Sequence, residues 1–224
     1  MPRSVNPTSP ARRKMSFGDF GILSKKRPER KLTTRLKAHA GRDKYGRISI
    51  WHRGGLAKRL YRLVDDKFLP FEGAATVKAL EYDPNRSAFI ALLEMPGKSK
   101  KYILAAAGMA VGQTVTSGGT KRRKIGSRLA LNDIAVGVQI HNIELQPGRG
   151  AQVVRSAGSS AAITAKEGKY AYVRMPSSEI RKILLQCMAS VGRVSNPTHN
   201  LIRIAKAGRK RHMGVRPTVR GKAM

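Results

Sequence analysis

Acidic residues are scarce in this 224-residue chain: 13 Asp and Glu stand against 45 Lys and Arg, a formal net charge of +32. A compact chain of that size repels itself strongly unless a polyanion neutralises it, and nucleic acid is the polyanion that fits. Cysteine is almost missing. Cys187, the one thiol, has no partner for an internal disulfide and is too few for a zinc cluster, so a reducing compartment is expected with Cys187 as a small buried apolar residue. No apolar run approaches the ~20 residues that span a bilayer, and no basic face is paired with a long apolar one, so no membrane partner is expected. Aromatic residues make up only 5% of the chain. Extended base stacking is therefore not the expected mode of binding, and Trp51, Tyr61 and Tyr82 read as core or barrel-edge residues.

Catalytic and metal-binding patterns are also missing. The five histidines (His39, His52, His141, His199, His212) lie singly, without the spacing that sets ligands around a metal. Asp65-Asp66 and Glu81 with Asp83 read as solvated or ion-paired carboxylates rather than an acid/base pair. No enzyme activity is expected, and no cofactor beyond structural Mg2+ bound to RNA. Pro147-Gly148-Arg149-Gly150 and Gly118-Gly119-Thr120-Lys121 lack the spaced pattern of a nucleotide loop. Their glycines permit tight turns while Arg149 or Lys121 reaches an RNA phosphate. Helical periodicity is weak, with short candidates only at Ser16–Leu23 and Leu201–Lys206.

The charge that is present is unevenly placed. Residues 1–62 carry 18 basic and 3 acidic residues, residues 63–202 carry 19 and 10, and residues 203–224 carry 8 and none. The flanks have too few large apolar side chains to offset chain entropy alone, so both are expected to order on a partner. Four basic clusters, Arg12-Arg13-Lys14, Lys25-Lys26-Arg27, Lys121-Arg122-Arg123-Lys124 and Arg209-Lys210-Arg211, put several cations within reach of successive phosphates. In the middle, β-type runs dominate. Thr76–Tyr82 and Ala88–Leu93 flank the turn Asp83-Pro84-Asn85, and Lys101–Leu104 follows Pro96-Gly97. A second set comprises Gly137–Glu144, Ala161–Ala165, Tyr170–Met175 and Ile180–Cys187. The chain is thus expected to be mainly β, with two consecutive small β-barrels at 60–122 and 123–200 between basic irregular extensions at 1–59 and 201–224.

Several strings resemble a known family. Glu81-Tyr82-Asp83-Pro84-Asn85-Arg86-Ser87-Ala88, Tyr102-Ile103-Leu104-Ala105, His141-Asn142-Ile143-Glu144 followed by Pro147-Gly148, and Arg155-Ser156-Ala157-Gly158 look like motifs of the universal large-subunit ribosomal protein two family, bacterial type. So do Ala165-Lys166-Glu167-Gly168, Gly208-Arg209-Lys210-Arg211 and Gly214-Val215-Arg216-Pro217-Thr218-Val219-Arg220-Gly221. The likeness runs in order from about Pro7 to Met224. It implies an oligonucleotide-binding-type barrel followed by an SH3-like barrel, with extensions that penetrate ribosomal RNA. It also implies direct binding to large-subunit ribosomal RNA, a place between the peptidyl transferase region and the subunit interface, and support for subunit association. Neighbouring ribosomal proteins and the small subunit would be the protein-side partners, and no homo-oligomer is expected.

Matching positions carry the family's RNA contacts onto Arg53, Lys58, Arg86, Arg155, Lys206, Arg209, Lys210, Arg211, Arg216, Thr218 and Arg220. Arg12, Arg13, Arg59, Lys121, Arg122, Arg123, Lys124 and Arg149 join them as basic positions of the clusters and loops. Two departures stand out. The family's glycine-rich tract before the first barrel reads here His52-Arg53-Gly54-Gly55-Leu56-Ala57-Lys58-Arg59, one glycine fewer and with no histidine after it. The family also continues past the position of Ala223-Met224 into a His- and Gly-rich stretch, whose histidine linked to peptidyl transfer has no equivalent to name: either the sequence is incomplete, the protein is split, or this version works without the tail. A free RNA chaperone would need no ordered string of motifs, and an enzyme acting on RNA would need a compact polar constellation. Bacterial cytoplasm is the expected home, because family-like residues begin almost at once; the acid-poor start leaves an organelle ribosome as the alternative.

Overall fold

The computed structural model describes residues 2–68, 73–118 and 124–223. It divides into two compact units: a flank unit of Met1–Phe20, Thr34–Tyr61 and Asn200–Met224, and a β unit of Gly21–Thr33 and Arg62–His199. Short strands β1 (Arg3–Ser4) and β2 (Ser16–Phe17) pair antiparallel in the flank unit. β3 (Thr33–Arg35) and β4 (Leu60–Arg62) form another two-stranded sheet.

The first large sheet holds β5 (Ala75–Glu81), β6 (Ile90–Glu94), β7 (Lys100–Leu104) and β8 (Thr114–Val115) in the order β7-β6-β5-β8. The apolar run across β6 is continuous because both of its faces are covered. Ala91 and Leu93 join Val77, Leu80, Phe89, Ile103 and Val115 in the core, while Ile90 and Leu92 pack with Ala79 and Tyr102 under Leu32 and Val64. A register shift between Val77 and Ala79 bends β5 and helps the sheet to curl. The β5–β6 turn is built on buried Asp83, whose Oδ1 accepts the Asn85 amide at 2.9 Å and whose Oδ2 accepts Arg86 Nε at 2.6 Å.

The second sheet runs β13-β12-β11-β10-β14-β9, from β9 (Arg128–Ala130), β10 (Gln139–His141), β11 (Ala161–Glu167), β12 (Tyr170–Arg174), β13 (Ile180–Leu184) and β14 (Met188–Val191). Its inner face gathers Leu129, Ile140, Ile163, Val173, Ile183 and Val191. Cys187 is fully buried there as expected, and burial pushes its thiol up to about 11. The two sheets are tied together where the Phe89 amide donates to buried Ser195 Oγ at 3.0 Å and Asn196 Nδ2 donates to Ser87 O at 2.8 Å. The fold is mainly β, with curled sheets in the order of an oligonucleotide-binding-type and an SH3-like barrel.

Local details differ from the sequence reading. The run Ile180–Cys187 is one strand followed by a turn, and β14 begins only at Met188. Ser16–Leu23 is not helical: Ser16-Phe17 pairs with β1 instead. Leu201 closes a 3-10 turn (His199–Leu201) and residues 202–206 are irregular, while the α-helices fall at α1 (Pro10–Arg13) and α2 (Ala207–His212). Pro10 at the first helical position has the backbone angle the helix wants and needs no amide bond there, which outweighs the weak apolar pattern downstream.

Candidate nucleic-acid interface

The two sequence flanks meet in the flank unit. The Ser16 amide donates to Arg203 O at 3.1 Å, and the Arg203 amide returns a bond to Ser16 Oγ at 2.9 Å. Arg209 of α2 lies 4.3 Å over the Phe17 ring and donates from Nη1 to Ser16 O at 3.3 Å. A second seam joins the stretch after Trp51 to the C-terminal arm. The Gly54 amide bonds Gly214 O at 3.1 Å, the Ala57 amide bonds His212 O at 3.1 Å, and the Arg216 amide bonds His52 O at 2.9 Å. Backbone bonds, rather than a core, hold this unit: Met15, Gly18 and Gly214 are its buried residues among those described.

Its charge is extreme. The flank unit has 20 Lys and Arg against two acids, Asp19 and Asp43. Asp43 is engaged locally, its Oδ1 accepting the amides of Tyr45 and Arg47 at 2.9 Å each. Arg13, Lys206, Lys210, Arg211, Arg216, Thr218 and Arg220 are exposed and Arg12 and Arg209 half-buried; Lys206 stands just before α2 with no capping bond from its side chain. Arg53, Lys58 and Arg59 come together along an open groove of about 960 Å³. The groove also gathers Arg35, Lys37 and His39, which the sequence reading missed. Arg35 and Lys37 are single cations and His39 a single histidine among small or apolar neighbours, so no cluster marks them; the sign available was their place in a flank with almost no acid.

The β unit treats its cations differently. Arg86 is held by Asp83, and Arg155 reaches both Asp66 Oδ1 and Ala151 O. These two expected RNA contacts therefore also brace the fold. Lys124 Nζ donates to Thr114 Oγ1 at 3.2 Å, and Arg149 is exposed on its glycine turn. Lys121, Arg122 and Arg123 lie outside the described residues.

The carboxylates are mostly ion-paired: Asp65 with Lys101 at 2.8 Å, Asp66 with Arg155 and Asp83 with Arg86. Glu81 is an exception, buried and accepting the Tyr102 hydroxyl at 2.8 Å, and burial raises its pKa. Deeper still, the Arg128 guanidinium meets Glu144 at 2.9 Å with both side chains all but inaccessible. His141 is buried beside them, its Nδ1 2.9 Å from Gly192 O, and burial lowers its pKa to about 4. Among the described residues no three His, Cys, Asp or Glu side chains are grouped to hold a metal, and no helix is long and apolar enough to cross a membrane. One aromatic expectation is corrected. Trp51 is neither core nor barrel edge: it is 74% exposed in the flank unit, which has almost no core for it to join, and Tyr45, Ile48 and Ile50 beside it in sequence are exposed as well.

A dense cationic surface on a unit that buries almost nothing is the arrangement that backbone recognition of a folded RNA calls for. The family model for Ribosomal Proteins L2, RNA binding N-terminal domain, matches residues 29–117, and that for Ribosomal Proteins L2, C-terminal domain, matches residues 124–224. The chain belongs to the ribosomal L2 family. Membership makes it a structural protein of the large ribosomal subunit that binds ribosomal RNA and sits among other ribosomal proteins. Within the L2 match, the N-terminal RNA-binding model begins at residue 29 and takes in Arg35, Lys37, Arg53, Lys58 and Arg59, cations of the groove.

Proposed function

We propose that this L2-family chain grips large-subunit ribosomal RNA chiefly through its flank unit, with the β unit adding a second set of contacts. The observation that carries this reading is the flank unit's 20 cations against two acids with almost nothing buried. Such a surface gains most of its free energy by displacing counterions from phosphates. Arg12, Arg13, Arg53, Lys58, Arg59, Lys206, Arg209, Lys210, Arg211, Arg216, Thr218 and Arg220 supply these contacts. Lys121, Arg122, Arg123, Lys124, Arg149, and the outward faces of Arg86 and Arg155, add a second set on the β unit. Any Mg2+ at the interface is held by the RNA.

In the assembled subunit the protein supports the architecture around the peptidyl transferase region and the association of large with small subunits. It acts as a single copy, in the bacterial cytoplasm or, as the alternative, in an organelle ribosome. Filter binding to large-subunit RNA over a range of salt is the first test. Log affinity should fall linearly with log salt with a slope of several units, and a slope near zero would refute the phosphate grip. For the finer role, large subunits reconstituted without the protein should sediment with fewer bound small subunits than those containing it.

A further inference from the structure

Trp51 is the one tryptophan of the chain, and it is 74% exposed. An indole carries a large apolar surface that is costly to leave in water, and here the exposure is not that of a frayed end. On one side, the amides of Ser49 and Ile50 both donate to Gly41 O, at 2.9 and 3.1 Å. Gly41 has φ +74°, and a Cβ there would lie 2.2 Å from Ile50 O, so this close approach requires glycine. On the other side, His52 O accepts the Arg216 amide and Arg53 is bridged to Val215. The backbone is clamped before and after the indole while the side chain stands out. His52 meets it edge-on, with centroids 6.3 Å apart and planes at 84°, so no ring is stacked on it among the described residues.

The surroundings decide what fits. Arg47, Arg53 and Arg216 flank the segment in sequence or across the seam, and the nearby Asp43 carboxylate is occupied by backbone amides. An apolar peptide would cover the indole but leave these cations facing no charge. A nucleotide offers a π-face to the ring and a phosphate to the arginines together.

We propose that Trp51 is a stacking platform for an unpaired base of the RNA, so that this segment recognises a flipped-out or single-stranded nucleotide while the rest of the flank unit holds phosphates. The proposal rests on the reading that the flank unit binds RNA. It differs from that reading in predicting a contact that depends on a base rather than on charge.

Because no other tryptophan interferes, the full chain reports on itself. Its emission is followed on titration with large-subunit ribosomal RNA, a short single-stranded oligouridine, an RNA duplex of equal phosphate count and inorganic polyphosphate. Emission should be quenched by the first two and little changed by the last two. Trp51→Ala should weaken oligouridine binding roughly fivefold or more, and Trp51→Phe should restore most of it. Equal quenching by polyphosphate would overturn the proposal. So would salt-dependent RNA binding that leaves the emission unchanged and Trp51→Ala equal to the parent; in that case the phosphate grip survives and another partner covers the indole. Failure to bind any RNA would remove both readings.

Discussion

Removing one member of the Arg128–Glu144 pair should cost the β unit a large part of its stability. Arg128 starts the short strand β9, yet its side chain is fully buried, and burial holds its guanidinium below the usual range. Three bonds make that tolerable: Arg128 Nη1 donates to Asn142 O at 2.8 Å and Nη2 to Glu144 Oε1 at 2.9 Å, while Glu144 Oε2 accepts the Met188 amide at 3.0 Å. The pair thereby links β9, the segment after β10 and the start of β14. Glu144→Ala leaves a buried cation without its counter-charge, at a cost of about 3–5 kcal/mol. Native domains have only about 5–15 kcal/mol in total.

Arg128→Met leaves the converse, a buried carboxylate without a cation, and should cost a similar amount. Combining Arg128→Met with Glu144→Gln removes both charges, keeps an acceptor for Met188 and leaves chiefly the Asn142 carbonyl unsatisfied, about 1–3 kcal/mol. The double variant should therefore be more stable than Glu144→Ala alone. Urea denaturation followed by far-ultraviolet circular dichroism, at salt high enough to keep the polycation soluble, measures this. Single variants within about 1 kcal/mol of the parent would show that the pair is not a buried charged pair.

His141 has a folded pKa near 4 against an ordinary 6.5, so the unfolded chain binds the proton more readily; stability is full above about 6.5 and falls as pH drops toward 4, by about 3 kcal/mol. Denaturation of His141→Gln across that window should show a shallower acid slope, and an unchanged slope would contradict the assignment. Cys187 should resist thiol reagents at neutral pH in the native state and react on unfolding, since its thiol is buried and raised to about 11. Truncation after Ile202 removes eight cations and the partners of Ser16 and His52. The denaturation of the β unit should persist while the salt dependence of RNA binding becomes shallower by several units; an unchanged slope would exclude the arm from the interface.

Much of this protein was legible in its residues. Charge is additive along a chain, so the polyanion partner and the two basic flanks needed no coordinates. The β5–β6 hairpin was visible because Asp83-Pro84-Asn85 is local turn chemistry, and β11 and β12 because Glu167-Gly168 punctuates them. Short pieces such as β8 and β9 were not, since two or three residues carry no period and Arg128 reads as a surface cation until its burial is seen. Tertiary structure alone decided which cations remain available to RNA. Arg86 and Arg155 look in sequence like Arg53 and Lys58, yet carboxylates distant in the chain or held in a turn engage the first two and not the second pair. It also decided the fate of Trp51, because exposure depends on what the rest of the chain brings near an indole. The clamp after the indole is made by Val215 and Arg216, more than 150 positions away, which no local pattern encodes.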